Sequence, residues 1–300
     1  MQSRKQGNAQ GIDVSHHNGY VDWAKVAADG ISFVFLKASE GKTFVDSTFK
    51  NNAKAARAAG LLVGAYHFVN ATSTGAAELE ARHFANTIQG VPLDLSPVMD
   101  YENNPGGLGR SQVNDVAETF LFELERLTGK RPIVYTGNSF ASNFSPLLGA
   151  YPLWIARYST QVPTDVSAWR QWTFWQYSDG KDGGTRQNGS RKVAGLGGYV
   201  DLNEFNGTLA ELKAWAGITG KDAEKVAERD INKVSAWAAE NWAEAVANGY
   251  FDGSRPGAQI TREETAIVVN RLRRNFLRLI AANTEDIAAL DKRMQEIEQE

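Results

Sequence analysis

Through its first two hundred residues the chain alternates short runs of β-forming residues with segments of helical period, and that alternation leaves few folds open. The β-type runs are Gly11-Ile-Asp-Val-Ser15, Ile31-Ser-Phe-Val-Phe-Leu-Lys-Ala38, Leu61-Leu-Val-Gly-Ala-Tyr-His-Phe68, Pro97-Val-Met-Asp-Tyr-Glu102, Pro132-Ile-Val-Tyr135, Pro152-Leu-Trp-Ile-Ala156, Trp172-Thr-Phe-Trp-Gln-Tyr177 and Tyr199-Val-Asp-Leu202. Between several of them, over 47–59, 76–88 and 112–127, alanine and leucine recur at three- and four-residue spacing, the period of an amphipathic helix. Eight strands separated by helical crossovers predict an α/β fold, a (β/α) barrel rather than a sandwich. The last two crossovers, the second of them glycine-rich, are too irregular for full helices, so the barrel is expected to be incomplete on that side.

The character of the chain changes near Gly217-Ile-Thr-Gly-Lys-Asp222. Residues 1–220 hold 25 of the 28 glycines and 26 of the 31 aromatics but only 40 of the 67 charged side chains, while the last 80 residues carry the other 27 charges. The expected organisation is a barrel over 10–216, a linker over 217–222, a small all-α module over 223–275 and a terminal helix over 276–300. The module opens with an amphipathic stretch, 223–248, and resumes after a turn at a capping pattern, Thr261-Arg-Glu-Glu264. From Phe276, the positions Ile280, Ile287, Leu290, Met294 and Ile297 keep a 3.5-residue spacing with Asn283 in the seam, which predicts a short coiled coil or a long solvated helix.

Several function classes are excluded or made remote by composition. Without cysteine there is no thiolate nucleophile and no cysteine-ligated metal. A formal charge of −3 supplies no broad positive field, so neither nucleic acid nor an anionic membrane surface is an expected partner. All of that −3 lies in the tail, with 12 basic against 15 acidic residues, whereas the first 220 residues balance 20 against 20. No apolar run reaches the roughly 18–20 residues of a membrane span, and no apolar stretch follows the charged amino terminus, so no secretory signal is expected.

In a (β/α) barrel the working groups gather at the carboxyl ends of the strands. Four carboxylates fall there: Asp13 in the first strand, Asp100 and Glu102 at the end of the fourth, and Asp201 in the eighth. Asp13 and Asp201 should be neighbours where the barrel closes, and Asp100 and Glu102 should share a face of an extended strand. Mutual repulsion at one mouth raises the pKa of at least one carboxyl group and keeps a proton available for general acid catalysis. Glu102, furthest along its strand and with the longer reach, is the expected acid, and Asp100 its charged neighbour. The competing reading of each such residue is a helix cap or a solvated loop charge.

Aromatic faces for stacking on sugars are plentiful near the strand ends, among them Tyr66, Phe68, Tyr101, Tyr135, Trp154, Trp172, Trp175 and Tyr177. Tyr66 and Phe68 should share a face; which of Trp172 and Trp175 points inward is left open by periodicity. His16 and His17 near Asp13 raise the alternative of a metal-dependent hydrolase, but no His-x-x-x-His spacing occurs and adjacent histidines in a strand point to opposite faces. No metal or other cofactor is expected.

Seven motifs in order, Gly11-Ile-Asp-Val-Ser15, Lys37-Ala-Ser-Glu-Gly41, Gly64-Ala-Tyr-His-Phe68, Met99-Asp-Tyr-Glu102, Pro152-Leu-Trp-Ile-Ala156, Trp175-Gln-Tyr177 and Val200-Asp-Leu-Asn-Glu-Phe205, resemble those of glycoside hydrolase family 25, the Chalaropsis-type lysozymes. The resemblance covers about residues 10–210. It implies a muramidase acting on bacterial peptidoglycan, with Glu102 as general acid/base, Asp13, Asp100 and Asp201 as its companions, and Tyr66, Tyr135, Trp154 and Gln176 lining the groove. It also implies retention of configuration, either through the substrate's own N-acetyl group or through a carboxylate nucleophile. The tail is similar to a single S-layer-homology repeat through Trp237, Trp242, Ala245-Val-Ala-Asn-Gly249, Phe251-Asp-Gly253, Arg255-Pro256 and Ile260-Thr-Arg-Glu263. That implies contact with a secondary wall polysaccharide, with Trp242 and Arg262 as candidate residues, or assembly of chains into a homo-oligomer through the terminal helix. The whole reads as a phage-type endolysin made in the host cytoplasm without a signal and released at lysis; a bacterial autolysin and a non-catalytic wall-binding lectin are the alternatives.

Overall fold

The computed structural model describes residues 1–181, 191–218, 234, 239–254 and 262–297. The chain divides into two compact units, 1–220 and 221–300.

The first unit contains strands β1 (Gln10–Val14), β2 (Phe33–Glu40), β3 (Phe44–Val45), β4 (Leu62–Phe68), β5 (Val98–Asp100), β6 (Ile133–Gly137), β7 (Leu153–Ala156), β8 (Phe174–Ser178) and β9 (Asp201–Phe205). Its sheet runs β1-β9-β8-β7-β6-β5-β4-β2-β3, and an additional β1–β2 pairing closes eight of the strands into a barrel. The two-residue β3, which the sequence pattern did not suggest, folds back antiparallel on the end of β2. Helices α1 (Trp23–Ala28), α2 (Phe49–Ala58), α3 (Thr74–Ile88) and α4 (Arg110–Thr128) form the early crossovers, and α5 (Leu209–Trp215) follows the last strand. Helices α2 to α4 begin and end within two residues of the periodic segments. Between β6 and β7 the crossover shrinks to two 3-10 turns, and between β7 and β8 no helix occurs. The ring of strands is closed; it is the ring of helices that is incomplete.

The final strand departs from expectation in register and direction. It spans Asp201–Phe205 rather than 199–202 and runs antiparallel to both β8 and β1. A parallel strand needs a crossover of a dozen or more residues that packs back on the sheet, usually a helix, whereas an antiparallel strand needs only a return loop. The glycine-rich stretch after β8 suits the latter. Reversal also means that Asp201, at the start of β9, lies at the same end of the barrel as the carboxyl ends of the parallel strands.

Alternation along the strands sorts side chains into two cores. Facing the barrel interior are Phe33, Phe35, Val98, Ile133, Tyr135, Trp154, Phe174 and Phe205, with Phe35 stacked on Trp154 at 4.4 Å between ring centroids. Outside the sheet, Val34, Leu36, Val63, Met99, Val134 and Ile155 pack with the helices. Trp172, Trp175, Tyr101 and Tyr177 belong to this outer layer, so neither tryptophan points inward; Phe174 between them does. Two motif glycines serve the inner core. A Cβ at Gly11 would stand 2.3 Å from the Phe33 ring, and one at Gly64 would stand 2.4 Å from the Phe35 ring. Only a bare backbone at these positions lets both phenyl rings fill the barrel floor.

The second unit contains α6 (Ala239–Ala247) and α7 (Arg262–Ile297), a single long helix of 36 residues that runs from the capping pattern through the 3.5-residue repeat. Arg271 Nη1 donates to the Tyr250 carbonyl at 2.9 Å, Asn275 Nδ2 to the Asn248 carbonyl at 3.1 Å, and Trp242 packs against Phe251 with centroids 5.0 Å apart. Along α7, Leu272, Phe276, Leu277, Ile280, Ile287, Leu290 and Met294 are exposed. Trp237, Arg255, Pro256 and most of 223–238 lie outside the described residues, as does the side chain of Arg262. No helix among the described residues is long and apolar enough to cross a membrane.

Candidate active site

At the open end of the barrel, Asp13 from β1 and Asp201 from β9 are register partners on adjacent strands, as the closing of the barrel requires. Asp100 ends β5 beside Phe68 of β4 and Tyr135 of β6. Glu102 is not on a strand: β5 stops at Asp100, and Glu102 follows two residues later, exposed at the rim. It therefore reaches the mouth from the loop that leads to α4, not from the shared strand face expected for the Asp100 and Glu102 pair.

A hydrogen-bonded floor holds Asp13. Its Oδ2 accepts from Gln176 Nε2 at 2.8 Å and from Asn203 Nδ2 at 2.7 Å. Gln176 Oε1 accepts in turn from the hydroxyls of Tyr135, at 2.8 Å, and Tyr158, at 3.0 Å, while Asn203 Oδ1 accepts from Trp154 Nε1 at 2.7 Å. Tyr66 stands edge-on to Trp154 with centroids 6.3 Å apart. Of the groove residues expected from the sequence, Tyr66, Tyr135, Trp154 and Gln176 thus meet in one wall and floor. Phe68 lies nearer the rim, 5.1 Å below the Lys37 ammonium.

Two members of this network, Asn203 and Tyr158, went unnoticed in the sequence. Asn203 was legible in principle, being two residues from Asp201 and so on the same strand face. Tyr158 lies just past β7, where periodicity carries no information, and its hydroxyl lies 3.4 Å from Asp201 Oδ1 as well as close to Gln176. Lys37, on the inner face of β2, pairs with Glu40 at 2.5 Å and is the cation that offsets part of the charge around Asp100.

Four acids in so small a volume cannot all ionise easily. Burial, strengthened by the charges of Glu102 and Asp13, holds the Asp100 carboxyl well above its ordinary range. Asp100 Oδ1 is buried with no hydrogen-bond partner. Burial and the charge of Asp201 also raise Glu102. Asp13 and Asp201 are both raised, chiefly by burial, and their steps at about 6 and about 8 belong to the pair rather than to either group. Tyr66, buried among these charges, is pushed far up and remains a neutral donor at any physiological pH.

The histidines have other duties. His16 and His17 sit in a 3-10 turn with rings 3.9 Å apart, not in a strand with opposed faces, and His16 Nδ1 bonds Asp46 Oδ2 at 2.8 Å. His67 lies behind the sheet between Ser39 Oγ, at 2.8 Å, and Glu80 Oε2, at 3.3 Å. That Ser-His-Glu chain has the order of a hydrolytic triad, but Ser39 and His67 are fully buried, so it works as a tie joining β2, β4 and α3. Among the described residues no group of three or more metal-ligating side chains is arranged to hold a metal ion.

The constellation of carboxylic acids, aromatic walls and an amide-lined floor at the mouth of a barrel is that of a sugar-cleaving site, and the family model for glycosyl hydrolases family 25 matches residues 12–184. The chain belongs to glycosyl hydrolase family 25. Among curated relatives, the family 25 chain is 34% identical over 223 residues to Lysozyme M1 of Streptomyces globisporus, covering 70% of this chain and 72% of that protein. It is 31% identical over 187 residues to the N,O-diacetylmuramidase of Chalaropsis sp, covering 57% and 88% of the two chains. Among solved structures, the bacterial lysozyme of Streptomyces coelicolor superposes with a TM-score of 0.61 at 32% identity, over 72% of this chain and all of that one. The barrel of this family 25 glycoside hydrolase is therefore shared with enzymes whose names are lysozyme and muramidase.

Proposed function

We propose that this chain is a muramidase that hydrolyses the β-1,4 bond between N-acetylmuramic acid and N-acetylglucosamine in peptidoglycan, with Glu102 as general acid/base. The observation that carries the role of Glu102 is its position: it is the rim carboxyl, raised by burial and by Asp201, beside a deeper cluster of three acids. A proton retained on Glu102 passes to the bridging oxygen as the glycosidic bond breaks, and the same group then takes a proton from the attacking water. The partnerless Asp100 Oδ1 suits a hydrogen bond from the acetamido N–H of the muramoyl sugar. That contact would turn the acetamido carbonyl oxygen toward the anomeric carbon and favour retention with participation of the substrate. Asp13, held by Gln176 and Asn203, and Asp201 shape and polarise the floor. Cleavage of purified peptidoglycan should leave new reducing ends on muramic acid, read by mass spectrometry of the reduced fragments; new ends on glucosamine would make the enzyme a glucosaminidase.

The charge on Asp201 helps to keep Glu102 protonated, so removing it has a defined direction. In Asp201→Asn the pKa of Glu102 falls toward its ordinary value, and the high-pH limb of kcat/KM moves to lower pH. A limb that stays in place, measured on soluble glycan across pH 4–9, would show that Glu102 does not set it.

We read the tail as a targeting or assembly module of an endolysin that meets the wall after release at lysis, with an autolysin as the second reading. A wall polysaccharide or a second copy of the chain are the partners that its S-layer-like motifs and the exposed apolar positions of α7 support. Truncation after residue 220 should preserve activity on soluble glycan fragments while weakening lysis of intact cells, as scored by turbidity loss. Equal potency on cells would remove the targeting role, and a monomer in light scattering at micromolar concentration would remove the assembly role.

A further inference from the structure

The formal charge of −3 on the tail averages over stretches of opposite sign. Between Thr265 and Ala282 the sequence carries four arginines and no acid, a local charge of +4, whereas 283–300 carries six acids against two cations. Apart from Thr265, Asn270 and Asn275, the other residues of 265–282 are apolar. The whole-chain balance that argues against an anionic membrane surface therefore does not describe this stretch.

Helix geometry sorts the two kinds of residue. Val269, Leu272, Phe276 and Ile280 follow one another along α7 at spacings of three and four and so share a face. They are between 47% and 63% exposed, which leaves a continuous apolar stripe open to water. A different side of the helix is already occupied, since Arg271 and Asn275 reach the Tyr250 and Asn248 carbonyls. Arg273 and Arg274 are exposed. At about 100° per residue, Arg273 borders the stripe and Arg274 lies across the helix from it. No acid stands within four residues of either, so neither charge is neutralised from a neighbouring turn.

An open apolar stripe beside unbalanced cations fits a surface that is anionic on top and apolar beneath. An anionic lipid bilayer is such a surface: a helix of this kind lies in its plane, sunk roughly 5–10 Å to the boundary of headgroups and acyl chains, and its arginines pair with lipid phosphates. Nucleic acid would meet the charge and leave the stripe in water. The same stretch of a second copy would cover the stripe but set another +4 beside the first. We propose that residues 265–282 of α7 are a docking surface for an anionic bilayer, with Val269, Leu272, Phe276 and Ile280 among the acyl chains and the arginines at the level of the phosphates. No helix among the described residues is apolar enough to cross a membrane, so the contact is in the plane of the surface. The acid-rich stretch that follows is repelled by an anionic surface, which ends the contact near Asn283. The inference is independent of the muramidase reading.

Co-sedimentation of the full-length chain with vesicles tests it. Partition onto vesicles of phosphatidylglycerol and phosphatidylcholine in equal parts should exceed partition onto phosphatidylcholine alone by about tenfold or more. It should fall by about tenfold or more in Arg273→Glu/Arg274→Glu, which reverses two charges, and equally in Phe276→Ser/Ile280→Ser, which removes apolar contact. All four positions are exposed, so neither double variant disturbs a packed side chain. The chain has no cysteine, so Phe276→Cys and Arg274→Cys each carry a single thiol for an environment-sensitive fluorophore. The label at 276 should shift to the blue only when anionic vesicles are added, and the label at 274 should stay in water. Equal partition onto the two kinds of vesicle overturns the proposal, as does wild-type partition in either double variant. A label at 276 already blue-shifted without vesicles, at a concentration where light scattering finds a dimer, also overturns it and gives the stripe to a second copy.

Discussion

Glu102→Gln should fold as the wild type does and lose about 10²–10⁴ in kcat on purified peptidoglycan, the range by which a positioned acid/base accelerates bond cleavage. Glutamine keeps the length and much of the hydrogen bonding of the side chain but can neither give up nor accept the reacting proton. Because Glu102 is exposed at the rim and makes no contact on which the barrel depends, the melting temperature should move little. Turbidity assays on cell walls, run beside calorimetry, separate the two effects. Retention of full lytic activity would remove Glu102 from the chemistry and leave Asp100, whose carboxyl is held well above its ordinary range, as the acid to test.

The second large effect couples function to stability. Asp100→Asn should lower activity by about 100-fold, since an amide oxygen accepts the acetamido N–H more weakly than a carboxylate and the carboxylate's charge is lost beside the reacting centre. The same change should make the barrel more stable at pH 7–8. Asp100 is 5% exposed, faces Glu102 and Asp13, and leaves one oxygen without a partner. Removing the cost of ionising a buried, unpaired carboxyl is worth about 1–3 kcal/mol, and in a unit of this size each kcal/mol shifts Tm by roughly 2–4 °C. The pH dependence identifies the cause. A carboxyl whose folded pKa exceeds its unfolded value binds more protons in the native state, so stability falls as pH rises from the ordinary carboxylate range through the raised value. The advantage of Asp100→Asn should accordingly be present above neutrality and vanish near pH 4, where Asp100 is protonated in the folded protein. A gain in Tm that is equal at pH 4 and pH 8 would assign the effect to packing instead.

Much of the fold and part of the site were legible before any coordinates. Helices α2, α3 and α4 were visible because alanine and leucine repeat at helical spacing over long stretches, and β2 and β4 because β-branched and aromatic residues crowd between turn signals. Asp13, Asp100 and Asp201 were findable because strand-end acids in a barrel have one place to converge. Less was readable where local pattern and tertiary role part company. The Asp100 and Glu102 spacing suggested one extended strand, but β5 ends early and the loop delivers Glu102 to the rim. Trp172 and Trp175 looked like groove aromatics and instead pack outside the sheet, because a tryptophan buried between sheet and loop has the same sequence signature as one facing a pocket.

What the sequence determined by itself was the class of barrel, the order of its strands and the set of acids that would meet at its mouth, since period, turn residues and motif order are local properties of the chain. The direction of β9 belonged to the tertiary structure: a two-residue alternation is the same for a parallel and an antiparallel strand, and only barrel closure against both β1 and β8 selects the reversed one. Closure sets Asp201 beside Asp13, brings Asn203 and Tyr158 into the floor and takes Asp13 and Asp100 out of water. The raised pKa values on which the proposed chemistry rests arise from that burial, a quantity no stretch of sequence contains.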